Sequence, residues 1–375
     1  RGMTAVVREF VSRASPVGRR NGAGFLPCQG LWHRPASGTV RTAFLATHYN
    51  VDFSEHYLGP LLAARGCGFL GWNTKYRGNE AFFLLDHALL EIGEGVRWLR
   101  EEAGVEQVVL LGNSGGGSLM AAYQSQSAGV TLEPGPGLSL HPALEDLPAG
   151  DFYVSLNAHG GRPEVITDWM DPAVTDERDP FSVDPELDLF APERTLPLDA
   201  GFVARYRAAQ RARNHRITHW CLGELERVQA RGAVDRAFLV HRVWADPRFV
   251  DPALDPSART PGRCYAGDPQ RANYGPMNIG LTCTLRTWLS MWSLEHSGCR
   301  GAPHLARIRV PSLVIQSDAD TGVFPSDARA IHDALGAEDR TLLTVPGDHY
   351  LETPESARDD VADRIVGWLR ARDAG

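Results

Sequence analysis

The sequence is short of several things, and each shortage removes a class of function. Lys75 is the only lysine among 375 residues, so the positive charge is almost all arginine. Lys and Arg together number 38 against 46 Asp and Glu, a net charge of −8. A nucleic-acid binder usually shows a basic excess, which is missing here. No apolar run approaches the roughly 20 residues of a membrane-spanning helix. The start, Arg1-Gly2-Met3, carries no apolar stretch of the secretory type, and Met3 reads as the natural first residue. The six cysteines (Cys28, Cys67, Cys221, Cys264, Cys283 and Cys299) form no CxxC pair. That argues against a disulfide framework or a zinc site and for free thiols in a reducing cytoplasm. Repeats and low-complexity tracts are also missing. What remains is an ordinary globular composition, 43% hydrophobic and 22% charged. At roughly 100–200 residues per domain, the length allows two units or one large domain with an insertion.

Short β-like runs alternate with amphipathic helices over most of the chain. Thr42–Thr47, Cys67–Trp72, Val108–Leu111, Leu313–Ile315 and Leu342–Val345 read as strands, with Phe152–Leu156 a weaker one. Several are continuously apolar, as a parallel strand covered on both faces requires. Asp86–Ala103, Ser326–Leu335 and Pro354–Ala371 read as helices, the first with apolar residues near a 3.6 period. This alternation predicts an α/β fold with a doubly wound, mostly parallel sheet. It stops near residue 160 and resumes near 305. The interval is rich in tryptophan and in Asp-Pro pairs, and it holds a long helical stretch from about Ala200 to Trp244, with Gly223 and Gly232 as breaks. The expected organisation is a core in two parts, 1–160 and 306–375, with a mostly helical cap at 161–305.

The most informative stretch is Val108-Val109-Leu110-Leu111-Gly112-Asn113-Ser114-Gly115-Gly116-Gly117. It matches G-x-S-x-G at Gly112, Ser114 and Gly116, after an apolar strand and before a helix-compatible run. Small residues on both sides of the serine let strand and helix approach closely, and the serine then sits at a helix N-terminus. A phosphate-binding loop would call for a Lys or a GxGxxG spacing, and neither is present.

On these residues the chain resembles the α/β-hydrolase superfamily. The resemblance covers most of 25–160 and 305–375 and implies the chain order nucleophile, acid, histidine. It places the acid at Asp320, within Gln316-Ser317-Asp318-Ala319-Asp320 after an apolar strand, with Asp318 the near competitor that spacing alone does not separate. Asp168 and Asp171 are third choices. His349, just after the last strand, is the implied general base, able to take and return a proton near neutrality. The loop Thr47-His48-Tyr49-Asn50 lies where the family commonly begins His-Gly, so Tyr49 replaces the glycine. The implied oxyanion donors are the backbone N–H of Gly115 and one from Tyr49 or Asn50.

Weaker signals have blander explanations. His215 and His219 stand four apart on a helix without a third ligand, so they read as surface residues rather than a metal site. Trp288 and Trp292, also four apart, read first as packing and second as substrate-pocket residues, together with His48. Arg205, Arg207, Arg211 and Arg213 read as a solvated face, with a partner subunit the alternative. Tyr274–Asn278 is an unranked turn.

The expected activity is hydrolysis of an ester or lactone of a bulky, apolar or aromatic small molecule through an acyl-enzyme on Ser114, with no cofactor and no metal. The stretch Gly112-Asn113-Ser114-x-Gly116-Gly117 is also similar to that of carbon–carbon bond hydrolases of meta-cleavage products. Thioester hydrolysis, acyl transfer and a non-catalytic ligand-binding role are further alternatives. Neither nucleic acid nor membrane is expected as a partner, and a homodimer through the helical insertion is plausible.

Overall fold

A strand with both faces covered needs apolar side chains at successive positions, and the central strands meet that need. The computed structural model describes residues 5–18, 26–276 and 278–373. Its strands are β1 (Val6–Arg13), β2 (Cys28–Pro35), β3 (Thr42–Ala46), β4 (Gly68–Asn73), β5 (Gln107–Asn113), β6 (Phe152–Leu156), β7 (Ala237–Leu239), β8 (Thr282–Thr284), β9 (Ser312–Ser317) and β10 (Arg340–Val345). The helices are α1 (Leu58–Ala64), α2 (Leu85–Glu101), α3 (Gly116–Ser127), α4 (Arg162–Trp169), α5 (Ala200–Gln229), α6 (Pro247–Val250), α7 (Pro269–Ala272), α8 (Leu285–Thr287), α9 (Gly301–Leu305), α10 (Pro325–Ala334) and α11 (Ala357–Asp373).

Eight strands form one sheet in the order β1-β2-β4-β3-β5-β6-β9-β10. The β1–β2 and β2–β4 pairs are antiparallel and the others are parallel. Phe44, Val109, Leu111, Val154 and Ile315 face one side, against α1 and α11. Leu45, Val108, Leu110, Tyr153 and Val314 face the other, against α2, α3 and α10. Strand alternation therefore builds two cores from one apolar run.

The edge strand β1 and its neighbour β2 were not legible as strands. β1 is mostly exposed along its length, and β2 contains a glycine and ends on a proline, so neither shows the apolar run of a central strand.

β6 pairs with β9 through Tyr153↔Ser312 to Leu156↔Ile315. The long chain between them therefore leaves and re-enters the sheet at neighbouring strands. Within it, α5 is shorter than the helical stretch expected: it ends at Gln229, Gly232 takes φ +79°, and β7 follows at Ala237. A left-handed residue stops a helix, and glycine adopts that conformation without strain. Five of the Asp-Pro pairs share one local cause. The carboxylates of Asp171, Asp179, Asp184, Asp246 and Asp251 each accept a backbone N–H two residues on, across the intervening proline. Each aspartate thus closes an Asx turn that proline pre-sets.

The arginine face of α5 is not uniformly solvated. Arg205 and Arg211 are exposed. Arg213 is fully buried and forks onto Glu177 (2.8 and 2.6 Å), with further bonds to the carbonyls of Asp171 and His241. Arg207 bonds Asp246 at 2.7 Å. These two arginines anchor the helix to the loops beneath it. All six cysteines are buried and none forms a disulfide. Among the described residues no helix is long and apolar enough to cross a membrane.

Candidate active site

A tight turn joins β5 to α3, and Ser114 occupies it with φ +55°. A non-glycine residue held there costs about 1–3 kcal/mol, which only the surrounding structure can sustain. The support is visible. Ser114 N–H bonds Leu156 O (3.1 Å), while Ser114 O accepts from Gly117 N–H and His159 N–H. A Cβ on Gly112 would lie 2.5 Å from Gly117 Cα, one on Gly116 2.3 Å from Thr47 O, and one on Gly117 2.4 Å from Ala158 Cβ. The glycines are thus required by close backbone approach. Asn113 is structural: its amide donates to Leu156 O and its carbonyl accepts from His56 Nε2.

The loops after β9 and β10 bring two more residues to the serine. His349 Nε2 lies 3.1 Å from Ser114 Oγ, and His349 Nδ1 lies 2.6 Å from Asp320 Oδ2. Asp320 and His349 are buried, and the remaining Asp320 oxygen accepts from the N–H groups of Gly322 (2.8 Å) and Val323 (2.9 Å). Asp318, two residues earlier, turns away and accepts from Gly347 N–H (3.1 Å). The geometry therefore separates the two aspartates that spacing did not. Asp168 and Asp171 pair with arginines of the inserted chain, Asp168 with Arg207 and Arg248 and Asp171 with Arg242.

In the loop after β3, Asn50 N–H (3.3 Å) and Val51 N–H (3.2 Å) both donate to His48 Nδ1. The Asn50 donor is therefore directed at its own loop, and the Tyr49 N–H remains as the loop's candidate donor beside Gly115. With Nδ1 accepting, the neutral His48 ring carries its proton on Nε2. Burial, with Arg162 and His159 nearby, holds its pKa well below the ordinary histidine value. The Tyr49 side chain packs inward, with its hydroxyl 2.9 Å from Ser118 Oγ.

Four residues with no motif complete the site. Tyr265, from irregular chain between α6 and α7, donates its hydroxyl to Asp320 Oδ1 (3.1 Å) and stands 2.8 Å from His349 Nδ1, its ring 4.1 Å from the imidazole. Asn157 (φ +43°) bonds Ser317 and the His349 carbonyl, tying β6 to the histidine loop. Arg162, the first residue of α4, is buried beside Gly115. His159 is buried between Trp169 and Tyr265, its pKa lowered well below the ordinary value by burial first. The only sequence hint was position: Asn157, His159 and Arg162 directly follow a strand's C-terminal end.

The two tryptophans do not share a place. Trp288 is wholly buried, with its indole N–H on Thr218 of α5 (2.9 Å) and its ring against Phe238 of β7, so it packs the insertion. Trp292 is equally buried but lies 5.3 Å from the Arg162 guanidinium. His215 and His219 flank Glu295 on the exposed side of α5. Among the described residues no cluster could hold a metal ion. Tyr274 stacks on Phe181 (5.5 Å) at the surface, and Met277 of the same turn lies outside the described residues.

A cavity of about 640 Å³ is lined by Lys75, Arg77, His87, Arg236 and Arg286, and a second of about 220 Å³ by His159, Trp169, Arg248 and Gly322. Only the second reaches the neighbourhood of His349, through His159 and Gly322.

No protein-family model and no curated protein sequence matches the chain. Solved structures do. One is DcsB in complex with its substrate analogue (TM-score 0.55, 11% identity, 98% of this chain and all of that one). A second is the alpha/beta hydrolase GrgF from Penicillium sp. sh18 (TM-score 0.54, 11% identity, the same coverage). A third is the esterase domain of a Rhodothermus marinus protein (TM-score 0.50, 11% identity, 97% and 98%). With the strand order and connections described above, these likenesses show that the chain has the α/β-hydrolase fold.

Proposed function

We propose that this chain is a serine hydrolase acting on carboxylic esters or lactones through an acyl-enzyme on Ser114. The observation that carries this reading is the continuous path from Ser114 Oγ to His349 Nε2 (3.1 Å) and from His349 Nδ1 to Asp320 Oδ2 (2.6 Å). His349 Nε2 takes the Ser114 proton as Oγ attacks the carbonyl carbon. The oxyanion is held by the N–H groups of Gly115 and Tyr49, at the N-terminus of α3. When the tetrahedral adduct collapses, its bond to the leaving oxygen breaks and the imidazolium hands that oxygen the proton. A water, deprotonated by His349, then releases the acid and regenerates Ser114. Asp320, fixed by two backbone donors, keeps the Nδ1 proton in place and stabilises the imidazolium.

The test is turnover of a panel: short and long p-nitrophenyl esters, an aryl lactone, an acyl thioester and a vinylogous diketone. Wild type and Ser114→Ala run side by side, with fluorophosphonate labelling. Ester or lactone turnover that disappears in Ser114→Ala is the expected result. Turnover of the diketone alone would move the chemistry to carbon–carbon cleavage. Silence across the panel without labelling would overturn the hydrolase reading.

A further inference from the structure

Arg162 is the least satisfied charged group near the nucleophile. Its side chain is only 4% exposed, and its one ionic neighbour among the described residues is Glu80 Oε2 at 3.5 Å. Its Nε is buried with no hydrogen-bond partner, and neither is there one for that Glu80 oxygen. The other Glu80 oxygen accepts from Gly280 N–H. The guanidinium is held by aromatic faces instead, its carbon 4.3 Å from the Tyr49 ring and 5.3 Å from the Trp292 ring. A methyl placed on Gly115 would lie 3.0 Å from Arg162 Cζ and Nη1 and 2.7 Å from His48 Nε2. The donor edge of Arg162 and the Nε2–H of His48 therefore stand beside the residue whose N–H faces the reacting carbonyl.

A buried guanidinium without hydrogen bonds is unfavourable unless something completes it. The flanking rings contact the guanidinium and Nε has no partner, and the planar fork of an arginine matches a carboxylate in a two-point contact. We propose that the substrate carries a carboxylate close to its scissile carbonyl and that Arg162 is the group that binds it, with His48 contributing a second donor. The inference rests on the hydrolase reading and narrows it, from esters in general to half-esters of short dicarboxylic acids or their equivalents. It also redirects the expectation of a bulky apolar substrate, since the Trp292 ring that would have served it covers Arg162 instead.

The test compares the monobenzyl esters of malonate, succinate and glutarate with benzyl alkanoates of matched length, following benzyl alcohol release. At least one half-ester is expected to exceed its uncharged counterpart in kcat/KM by about tenfold or more. Arg162→Gln should abolish that preference, and Arg162→Lys should keep part of it. Glu80→Gln removes the competing carboxylate while keeping an acceptor for Gly280 N–H, so it should widen the preference even if the arginine variants fold poorly. Calorimetry of Ser114→Ala with free succinate or glutarate gives a readout without turnover: binding that Arg162→Gln removes supports the proposal. A wild type that prefers every uncharged ester, or a ratio unmoved in both Arg162→Gln and Glu80→Gln, overturns it. If Ser114 still labels with fluorophosphonate in that case, the hydrolase reading stands and only the carboxylate is lost. If there is neither labelling nor turnover, the hydrolase reading falls, and the calorimetry alone decides the anion site.

Discussion

The candidate site is assembled from two regions held in place by different means. Ser114, Asp320 and His349 stand just past the C-terminal ends of β5, β9 and β10; bonds to backbone groups fix Ser114 and Asp320, and the Asn157 amide holds the His349 carbonyl. Arg162 and Tyr265 come from the chain inserted between β6 and β9. Tyr265 reaches the site from irregular chain and is held through side-chain contacts to Asp320 and His349. Where backbone places a residue, a substitution should switch chemistry off or fail to fold. Where side chains place it, the effect should be graded.

The largest expected effects belong to the sheet-borne residues. Ser114→Ala should lower kcat/KM by about 10⁴- to 10⁶-fold, and Asp320→Asn by about 10⁴-fold through loss of the correct imidazole tautomer. Asp318→Asn is the control. Among the described residues its carboxylate accepts from the Gly347 N–H alone, so the loss should stay near one hydrogen bond, about 1 kcal/mol. Steady-state kinetics on the three variants decides this. Equal effects at 318 and 320 would mean that the acid has been misassigned.

Stability sharpens the contrast. A Cβ at Gly116 meets backbone, Thr47 O at 2.3 Å, whereas one at Gly322 meets a side chain, Tyr265 Cζ at 2.3 Å. Thr47 cannot yield without moving β3, while Tyr265 can rotate. Gly116→Ala should therefore cost about 3 kcal/mol or more and Gly322→Ala about 1 kcal/mol or less, by urea denaturation. Comparable losses at both positions would show that the inserted segment is as rigid as the sheet.

This difference also explains what was legible in the sequence. Ser114, Asp320 and His349 follow apolar strands, and the glycines around Ser114 are dictated by close contact, so residue type and order were visible together. Five inner strands, β3, β4, β5, β6 and β9, were legible for the same reason, and the edge strand β10 through its apolar run Leu342-Leu343. Tyr265 sits in irregular chain between Gly262 and Gly267 and has no periodic context. The expected helix Ala200–Trp244 overruns because the chain past Gln229 contains no proline, and Gly232 is the one helix breaker in it. Asn50 and Tyr49 were equivalent donors until the His48 ring was seen to engage one of them.

Acidification tests the sheet side through His56, which is buried beneath the nucleophile turn. His56 Nδ1 accepts from Leu58 N–H (3.2 Å) and Nε2 donates to Asn113 (3.1 Å), so only the neutral ring fits. Burial is the main cause that lowers its pKa to about 4, from the ordinary histidine value of about 6.5. The folded pKa is depressed, so the folded state binds fewer protons than the unfolded chain. Its stabilisation is present above about 6.5 and is lost as pH falls towards 4, up to about 3 kcal/mol. His48 and His159 shift in the same direction and add to the slope. Urea midpoints at pH 7, 5.5 and 4 should fall accordingly, and His56→Leu should be less stable at pH 7 yet flatter with pH. A variant with the wild-type slope would assign the acid sensitivity elsewhere.

The smallest effect is expected at Tyr265, and it bears most directly on how the inserted segment contributes. Tyr265→Phe keeps the ring beside His349 and removes one donor from Asp320, which retains the N–H groups of Gly322 and Val323. Loss of one hydrogen bond among several corresponds to about 1 kcal/mol, or roughly fivefold. It should appear in kcat with KM nearly unchanged, because the hydroxyl orients the acid–histidine pair rather than the substrate. Stability should change little, since the ring contacts with His159, Trp169 and Trp244 persist. A fall in kcat approaching that of Asp320→Asn would make the tyrosine part of the proton path. A change in KM alone would place it against the substrate, and the division between a sheet that does the chemistry and an insertion that adjusts it would then have to be redrawn.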